Sequence, residues 1–423
     1  MLLRSPQSGA RRRGISLVLV TVSIVAVLSV LALSLEGGLL LSERRTAQAT
    51  ADAASMAAAA DFYWNWYQNF GSDPNSTAYN SAMYTASQNG YTNDGVNTKV
   101  TVNIPPKTGP YTGMPAYAEV IVEYYHTRGF SSLFGTDQIP VRARAVAVGK
   151  PNAGEFGILV LDPSSKSAFN AGGGGTVTVT NTPIIVDSAD QAGSIANGGT
   201  TVTAPSYYLA GNYTTAGGGQ FFGTLNTNQR YVPDPLASLP VPDPKTMTVE
   251  SNNKTQLTSG TTILYPGVYK GGISASSTAN VIMMPGIYYM DSGGFQFTGQ
   301  GSLTGNGVMI YNYPGNGSGH DVNIAAGGQV TLSPPTSGIY QGVLLFQDRT
   351  SNVAASISGG ANMNLTGTFY FAGALLSVTG SAGFDNFGSQ YISYDLNVQG
   401  TGSITIDWEP DSVARVRLIT IVE

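Results

Sequence analysis

The N-terminal part of the chain carries an uninterrupted apolar run, residues 15–35, which follows the basic residues Arg4 and Arg11–Arg13. As an α-helix, about 21 residues extend roughly 31 Å, enough to cross a bilayer core of about 30 Å. The pattern predicts a transmembrane helix over residues 15–35. The basic tail, residues 1–14, is expected in the cytoplasm. A cleaved signal peptide is the alternative, but its apolar region would be only about 7 to 15 residues long.

An alanine-rich segment, residues 36–71, follows the apolar run and predicts a continuing helix, because alanine has the highest intrinsic helix propensity. Phe62, Trp66 and Phe70 recur every four residues, so we expect them on one helix face. That face is expected to pack against the next domain rather than to form an aromatic belt at the membrane. Gly71 is expected to end the helix.

Alternating apolar and polar residues then define a small domain, residues 72–150. The alternation appears in three runs, Val100–Ile104, Val120–Tyr124 and Ile139–Ala147, separated by loops rich in glycine and proline. Such runs predict an antiparallel meander with one face against a core. Together with the preceding helix, this sheet is expected to form a pilin-like α+β domain.

From residue 151 onward, short runs of Val, Ile, Leu, Thr and Tyr alternate with Gly-Gly pairs. Pairs begin at Gly174, Gly198 and Gly218, which are 24 and 20 residues apart. Repeats of this length indicate stacked supersecondary units. The pattern predicts a parallel β-helix over residues 151–423, with glycines at its corners, and therefore a mainly β chain. A β-sandwich with irregular loops is the alternative.

A proline-rich segment, residues 231–244, interrupts the glycine-rich pattern. Its five prolines oppose ladder pairing and favour an extended polyproline II conformation. We expect an extended excursion along the flank of the β-helix. A flexible hinge between two subdomains is the alternative.

Composition narrows the classes of function. Charged residues make up only 11% of the chain, and the net charge is −5, so there is no basic footprint for nucleic acid. The chain has no cysteine, which excludes disulfides and thiolate metal sites. The surface is therefore expected to be polar through Ser, Thr, Asn and Gly.

Candidate chemistry in the glycine-rich region is sparse. Sites that cleave glycans need clustered carboxylates with charge stabilisation, whereas the carboxylates here are scattered along the sequence. They are Asp162, Asp187, Asp190, Asp291, Asp321, Asp348, Asp385, Asp395 and Asp407. We therefore predict no enzymatic activity, no catalytic residues, no cofactor and no metal site.

Three short motifs contain residues that could carry chemistry. Asp187 and Asp190 are close in sequence but lack a basic neighbour. His320–Asp321 follows Gly317–Gly319 without the strand, turn and helix that expose a nucleophile, and a surface loop is expected. Asp348–Arg349 is expected to be an ion pair at the end of a strand.

Residues 11–61 combine arginines, a single apolar span, Glu36 at its end, and Arg44–Arg45 and Gln48 leading into Ala51–Ala54. This combination resembles the TadE/TadG-like family of tight-adherence (Tad, Flp-type) pilus-assembly proteins. The family usually has an Asp where Glu36 stands here. The glycine-rich region with its Pro-Asp-Pro-Leu sequence more loosely resembles TadG-related proteins. The resemblance implies a minor-pilin-like membrane protein without an enzymatic role.

The expected function is a non-enzymatic, single-pass membrane-anchored structural or assembly protein of a bacterial surface pilus. The N-terminus would be cytoplasmic and the bulk of the chain extracytoplasmic, beside other pilus-assembly or envelope proteins. Ala51, Ala54, Ala57 and Ala58 are expected to permit close approach of neighbouring subunits' helices. The alternatives are a surface adhesin or glycan-binding β-helix module and, less favoured, a polysaccharide lyase or hydrolase.

Overall fold

A computed structural model describes residues 11–129, 131–132, 135–314, 320–359, 362–380 and 384–423. The first ten residues of the predicted basic tail and the segment Gly317–Gly319 lie outside the described residues. The chain divides into two compact units. The first unit contains the chain up to Pro151 together with Arg417–Glu423, and the second unit contains Asn152–Val416.

The described residues form helices near the N-terminus and strands along the rest of the chain. The helices are α1 (Arg11–Trp64), α2 (Trp66–Asn69) and α3 (Thr77–Gln88). The strands are β1 (Thr98–Asn103), β2 (Tyr117–His126), β3 (Ile139–Ala153), β4 (Ile158–Val160), β5 (Phe169–Gly172), β6 (Thr176–Val179), β7 (Ile184–Val186), β8 (Ser194–Ala196), β9 (Thr201–Leu209), β10 (Tyr213–Thr215), β11 (Gln220–Asn226), β12 (Val249–Ser251), β13 (Thr255–Leu257), β14 (Thr261–Leu264), β15 (Gly267–Lys270), β16 (Ile273–Ala275), β17 (Asn280–Met283), β18 (Gly286–Asp291), β19 (Phe295–Phe297), β20 (Leu303–Gly305), β21 (Val308–Tyr313), β22 (Val322–Ala326), β23 (Val330–Leu332), β24 (Val343–Gln347), β25 (Ala355–Gly359), β26 (Met363–Leu365), β27 (Thr368–Gly380), β28 (Phe384–Phe387), β29 (Gln390–Gly400), β30 (Ser403–Ile406) and β31 (Arg415–Ile421).

Alanine forms the helix interface of the first unit. On α1 the buried alanines recur on one face, at Ala47, Ala51, Ala54 and Ala58, and α3 buries alanines four residues apart from Ala78 to Ala86. Small side chains let the two helices approach closely, and the same cluster continues into the sheet. Helix α3 was not predicted, although its alanine spacing is the helical signal that would have revealed it.

The aromatic residues at the end of α1 do not form the expected face. Helix α1 ends at Trp64, and Phe70 adopts a left-handed conformation (φ 48°) with 67% of its surface exposed. Of the three aromatic residues, only Phe62 is buried in the core. The prediction that Phe62, Trp66 and Phe70 share one packed face is therefore wrong, because the helix breaks between the first and the second.

The sheet of the first unit contains the three period-2 runs and one additional strand. Strands β1 and β2, and β2 and β3, pair antiparallel, and β31 lies beside β3. The N–H of Val146 donates to the carbonyl of Glu423 (2.8 Å). The last residues, which were expected in the β-helix, thus belong to the first unit, because their backbone completes its sheet. The likeness of this unit to a pilin stays a prediction.

The second unit confirms the predicted parallel β-helix. Strands β4–β30 form a solenoid of about 11 turns, all paired in parallel with the turn above or below. Val, Ile, Leu, Phe and Tyr side chains fill one continuous interior cluster. Glycine is required where turns approach closely at a corner: a Cβ on Gly173 (φ +100°) would lie 2.6 Å from the backbone nitrogen of Gly400.

The stacking order of the turns differs from the chain order. Strands β12–β30 stack successively along the chain. The last turn, β29–β30, then pairs with the first strands of the unit, β4–β6, through registers such as Tyr391 with Ile158 and Ser403 with Thr176. We call this contact the junction. The chain therefore enters and leaves the solenoid in the middle of the stack, and not at its ends.

Side chains reinforce the backbone pairing at the junction. The Gln390 amide donates to the carbonyls of Gly154 (3.2 Å) and Phe156 (2.9 Å). The Trp408 indole N–H also donates to the Gly154 carbonyl (2.8 Å). The entering segment is thereby joined to the last turn through Gln390 and to the leaving segment through Trp408.

The proline-rich segment crosses the flank of the solenoid. It connects β11 at one end of the stack with β12 at the other, so it has to pass the intervening turns. The Tyr370 hydroxyl donates to Asp234 (2.6 Å). One guanidinium nitrogen of Arg349 donates to the carbonyls of Leu236 (2.6 Å) and Leu239 (2.7 Å). Since the prolines cannot donate to a ladder, side chains of the solenoid hold the segment instead.

An aromatic column lies beneath the proline-rich segment. Tyr289, Tyr311, Phe346 and Tyr370 follow one another on successive turns, with ring centroids 5.0, 4.9 and 5.0 Å apart. These distances match the spacing of paired strands. Leu236 is buried in the same cluster with 2% of its surface exposed.

Truncation of Leu236 tests this packing. We expect Leu236→Ala to lower the free energy of unfolding of the solenoid by about 2 to 4 kcal/mol, because a buried side chain is lost and a cavity is left. Chemical denaturation of the full chain in detergent micelles, followed by tyrosine fluorescence, measures the change. Val241→Ala is the matched control, since Val241 in the same segment is 47% exposed. Equal effects of both variants would contradict the packing.

Candidate membrane anchor

The N-terminal half of α1 exposes its apolar side chains. From Leu17 to Leu35 the large apolar residues are 47 to 72% exposed. The most apolar 18-residue window has a mean hydropathy of 2.7 and no buried residue. Within the described ranges, this is the one helix long and apolar enough to cross a membrane. A signal sequence also has these properties near an N-terminus. Together with the solenoid, the helix is consistent with a membrane-anchored surface protein.

Glu36 marks the point where the exposed apolar stretch ends and packing begins. Only 4% of its surface is exposed. Its carboxylate accepts hydrogen bonds from the backbone N–H of Gly129 (3.1 Å), from that of Ser131 (2.6 Å) and from the Ser131 hydroxyl (2.7 Å). The His126 ring nitrogen lies 4.0 Å away. A buried carboxylate needs such donors, so Glu36 fixes the loop between β2 and β3 to the helix.

A second buried carboxylate ties the end of the chain to the same unit. Glu119 is fully buried, and burial acts to raise its pKa. Hydrogen bonds from Thr108, Arg144 and Asn103 outweigh that effect and lower the pKa of Glu119 to about 2. Arg144 donates to Glu119 (2.6 Å) and also contacts the Glu423 side chain (2.7 Å). The ionised pair thus stabilises the C-terminal strand in the first unit.

The alanines proposed for contacts between subunits are used within the chain. Ala51, Ala54 and Ala58 have no exposed surface, because α3 and the sheet cover them. The expectation that they meet a neighbouring subunit is therefore wrong for these three residues. Ala57 is half-buried. Arg44–Arg45 are exposed on the same helix.

Most of the carboxylates of the glycine-rich region have separate hydrogen-bond partners in the structure. Asp190 accepts the N–H of Ala192 (2.8 Å) in its own turn. Asp187 accepts the N–H of Val232 (2.9 Å) at the start of the proline-rich segment, and burial raises its pKa to about 6. Asp321 accepts a hydrogen bond from Gln296 (3.2 Å). The side chain of Asp385 lies outside the described residues.

Asp348 and Arg349 have different partners. Asp348 accepts from the Tyr311 hydroxyl (2.7 Å) and from Thr350 (2.6 Å). Arg349 donates to the Tyr370 hydroxyl (2.7 Å) and lies over its ring, in addition to holding the proline-rich segment. The prediction of an ion pair between Asp348 and Arg349 is wrong, because the Arg349 guanidinium donates its hydrogen bonds to Tyr370 and to the proline-rich segment.

One pair of carboxyl groups comes together only through the junction. Asp162 follows β4, and Asp395 lies in β29. Burial and the adjacent Asp162 raise the pKa of Asp395 to about 6. Burial also opposes ionisation of Asp162, but donors from Ser165 and Ser164 lower its pKa overall. Of the two carboxyl groups, Asp395 is therefore the one that binds a proton more readily as the pH falls. No sequence signal connects these two residues, since their contact depends on the stacking of distant turns.

In the part of the chain that the structure describes, no group of three or more His, Asp or Glu side chains is placed to hold a metal ion. His320 has partners close to it in the chain. Its ring contacts the carbonyl of Pro314, and its backbone carbonyl accepts a hydrogen bond from the Asn312 side chain (3.1 Å). Comparison of the chain with family models, curated proteins and solved structures finds no match.

Removal of the Glu36 carboxylate tests the link between helix and loop. We expect Glu36→Ala to free the β2–β3 loop and to raise the rate of tryptic cleavage after Arg128 by about tenfold or more, because hydrogen bonds to a charged group contribute about 1.5 to 3 kcal/mol each. The full chain in detergent micelles is digested and the fragments are identified by mass spectrometry. Glu43→Ala, on the same helix, is the control. An unchanged rate in Glu36→Ala would refute the link.

The carboxyl pair at the junction predicts a pH dependence. Because the folded state raises the pKa of Asp395 to about 6, its contribution to stability is present below pH 4 and is lost as the pH rises through 6. Asp395→Asn removes the ionised form. We therefore expect this variant to melt at a higher temperature than the natural chain at pH 7.5 and at the same temperature at pH 4.

Thermal unfolding followed by circular dichroism measures both variants. Asp411→Asn is the control, because the Asp411 side chain is 97% exposed. A difference in melting temperature between Asp395→Asn and the natural chain that stays constant from pH 4 to pH 7.5 would contradict the raised pKa of Asp395.

Proposed function

We propose that the chain is a membrane-anchored structural subunit of a bacterial surface assembly and has no enzymatic role. The observation that carries the proposal is the continuity of α1. Its exposed apolar half, residues 16–35, passes without a break into the half that forms the core of the first unit. A helix that is both anchor and core transmits force directly between the membrane and the folded chain.

The proposed orientation has the N-terminus in the cytoplasm and residues 37–423 outside. It is supported by the basic residues that precede the span. Arg44–Arg45 lie beyond the far end of the span. The Glu36 contact would then stand at the outer surface of the membrane, where it holds the first unit close to the bilayer.

The solenoid supports a structural role over a catalytic one. Its parallel ladder pairs the backbone from turn to turn, which makes a stiff body from few charged residues. Its buried carboxylates Asp162 and Asp187 accept hydrogen bonds from the backbone N–H of Ser165 in the same loop and from that of Val232 in the proline-rich segment. The pilus of the tight-adherence type is the particular assembly we propose, and it rests on the resemblance of residues 11–61.

Replacement of residues 152–416 by a flexible linker tests the proposed role. The linker retains residues 417–423, because β31 completes the sheet of the first unit. We expect membrane insertion to be intact and surface assembly to be lost, since the solenoid is absent. Electron microscopy of the cell surface and membrane fractionation are the two measurements. Full assembly by the shortened chain would contradict the proposal.

The same cells supply the control for orientation. Protease added to intact spheroplasts should digest the solenoid of the natural chain. Complete protection of the solenoid would place it in the cytoplasm and overturn the proposed topology.

A further inference from the structure

The two ends of the solenoid are open. At one end, β10 and β11 pair with β8 and β9 on their inner side. At the other end, β12, β13 and β14 pair with β15, β16 and β17 on their inner side. In the described ranges, no strand covers the outer side of either end turn. Each end therefore presents a row of unpaired backbone donors and acceptors.

The interior cluster is incompletely covered at the same two places. Its half-buried members are Phe221 and Leu225 at one end and Leu257 at the other. The residues that occupy the Phe221 position in the preceding turns, Val202 and Val177, are 0 and 2% exposed. The interior would thus continue if one more turn were stacked on each end.

The end formed by β10 and β11 lacks the usual protection of a sheet edge. Natural edges carry charged side chains, prolines or a covering element. Residues 206–229 contain neither a charged residue nor a proline. Phe222 at this end is 51% exposed, and Ile263 in β14 at the opposite end is 49% exposed.

We propose that a second copy of this chain occupies these ends by stacking head to tail, with β10 and β11 of one copy beside β13 and β14 of the next. Strands run in the same direction throughout the solenoid, so the opposite end of an identical copy offers strands of matching direction and order. Such a contact uses two different surfaces and generates an open filament. The inference rests on the proposed role as a subunit of an assembly and names the partner.

Neither connection to the first unit starts from an end turn of the solenoid. Because the chain enters and leaves at the junction, the segments that lead to the first unit start from the middle of the stack. The proline-rich segment likewise follows the flank, where Leu236 and Leu239 are held by Arg349.

The backbone contacts can be located by register. At one end, the N–H of Ala216 donates inward to Ala196 (3.0 Å). Since successive residues of a parallel strand point to opposite sides, the N–H of Thr215 points outward. At the other end, the N–H of Thr255 donates inward to Gly272 (3.0 Å), so the N–H of Gln256 points outward.

Proline at these two positions tests the proposal. The full chain is placed in nanodiscs at one copy per disc, and the mass of the particles is measured by mass photometry over a range of concentrations. We expect chains of discs for the natural protein. Thr215→Pro and Gln256→Pro should each weaken association about tenfold or more, because an outward N–H is lost. Thr215→Ala and Gln256→Ala keep the N–H and should associate normally.

Mixing the two proline variants tests whether the contact joins opposite ends of two copies. Each variant retains one intact end, so the mixture should form discrete pairs of discs that neither variant forms alone. Circular dichroism checks that both variants remain folded. Absence of association in the natural protein, or association that neither proline weakens, would overturn the inference. Either result would leave membrane insertion and the proposed anchor role intact.

Discussion

The parallel pairing of β29 with β4 and β5 is the contact on which the second unit depends. It joins turns that are more than two hundred residues apart in the chain into one stack. Without it, the glycine-rich region would form two separate short solenoids, each with one additional exposed edge. Gln390 and Trp408 reinforce the contact, because both donate to the backbone carbonyl of Gly154. The segments that enter and leave the solenoid are therefore held at the place where its turns are farthest apart in sequence.

This arrangement also explains the proline-rich segment. The chain enters the solenoid in the middle of the stack, forms the turns up to β11 at one end and resumes with β12 at the opposite end. The segment between β11 and β12 must therefore run along the outside of the solenoid. Prolines suit that path because they favour an extended backbone and cannot compete for ladder hydrogen bonds. The aromatic column and Arg349 supply the contacts that a ladder would otherwise provide. The crossing is therefore held at particular points, such as the buried side chain of Leu236.

In the first unit, small side chains and buried charges stabilise different contacts. Alanines allow α1 and α3 to approach, while two buried carboxylates, Glu36 and Glu119, fasten a loop and the terminal strand. Both carboxylates are satisfied by several donors, which offsets the cost of burying them. The exposed apolar half of α1 is the part of this helix that does not pack within the unit.

The apolar span, the strands of the meander and the β-helix could be predicted from the sequence, because each depends on a local period of apolar residues or on a repeat. The alanine spacing of α3 is also a local helical signal, although the predicted elements do not include this helix. The break of α1 after Trp64 and the exposure of Phe70 were decided by tertiary packing, which overrides local propensity. The same holds for the placement of the last strand, whose partner β3 is remote in sequence.

The side-chain contacts likewise include some features that the sequence predicts and others that only the tertiary structure decides. Local sequence determined that Glu36 stands at the end of the apolar span, but only the fold supplied Ser131 as its donor. Asp162 and Asp395 have no common motif, and only the stacking of the turns brought them together. Arg349 appeared to have a partner in the adjacent Asp348, yet the crossing segment engages it instead. Periodicity determines which side chains face a core, whereas contacts between distant turns depend on stacking order, which no local pattern encodes.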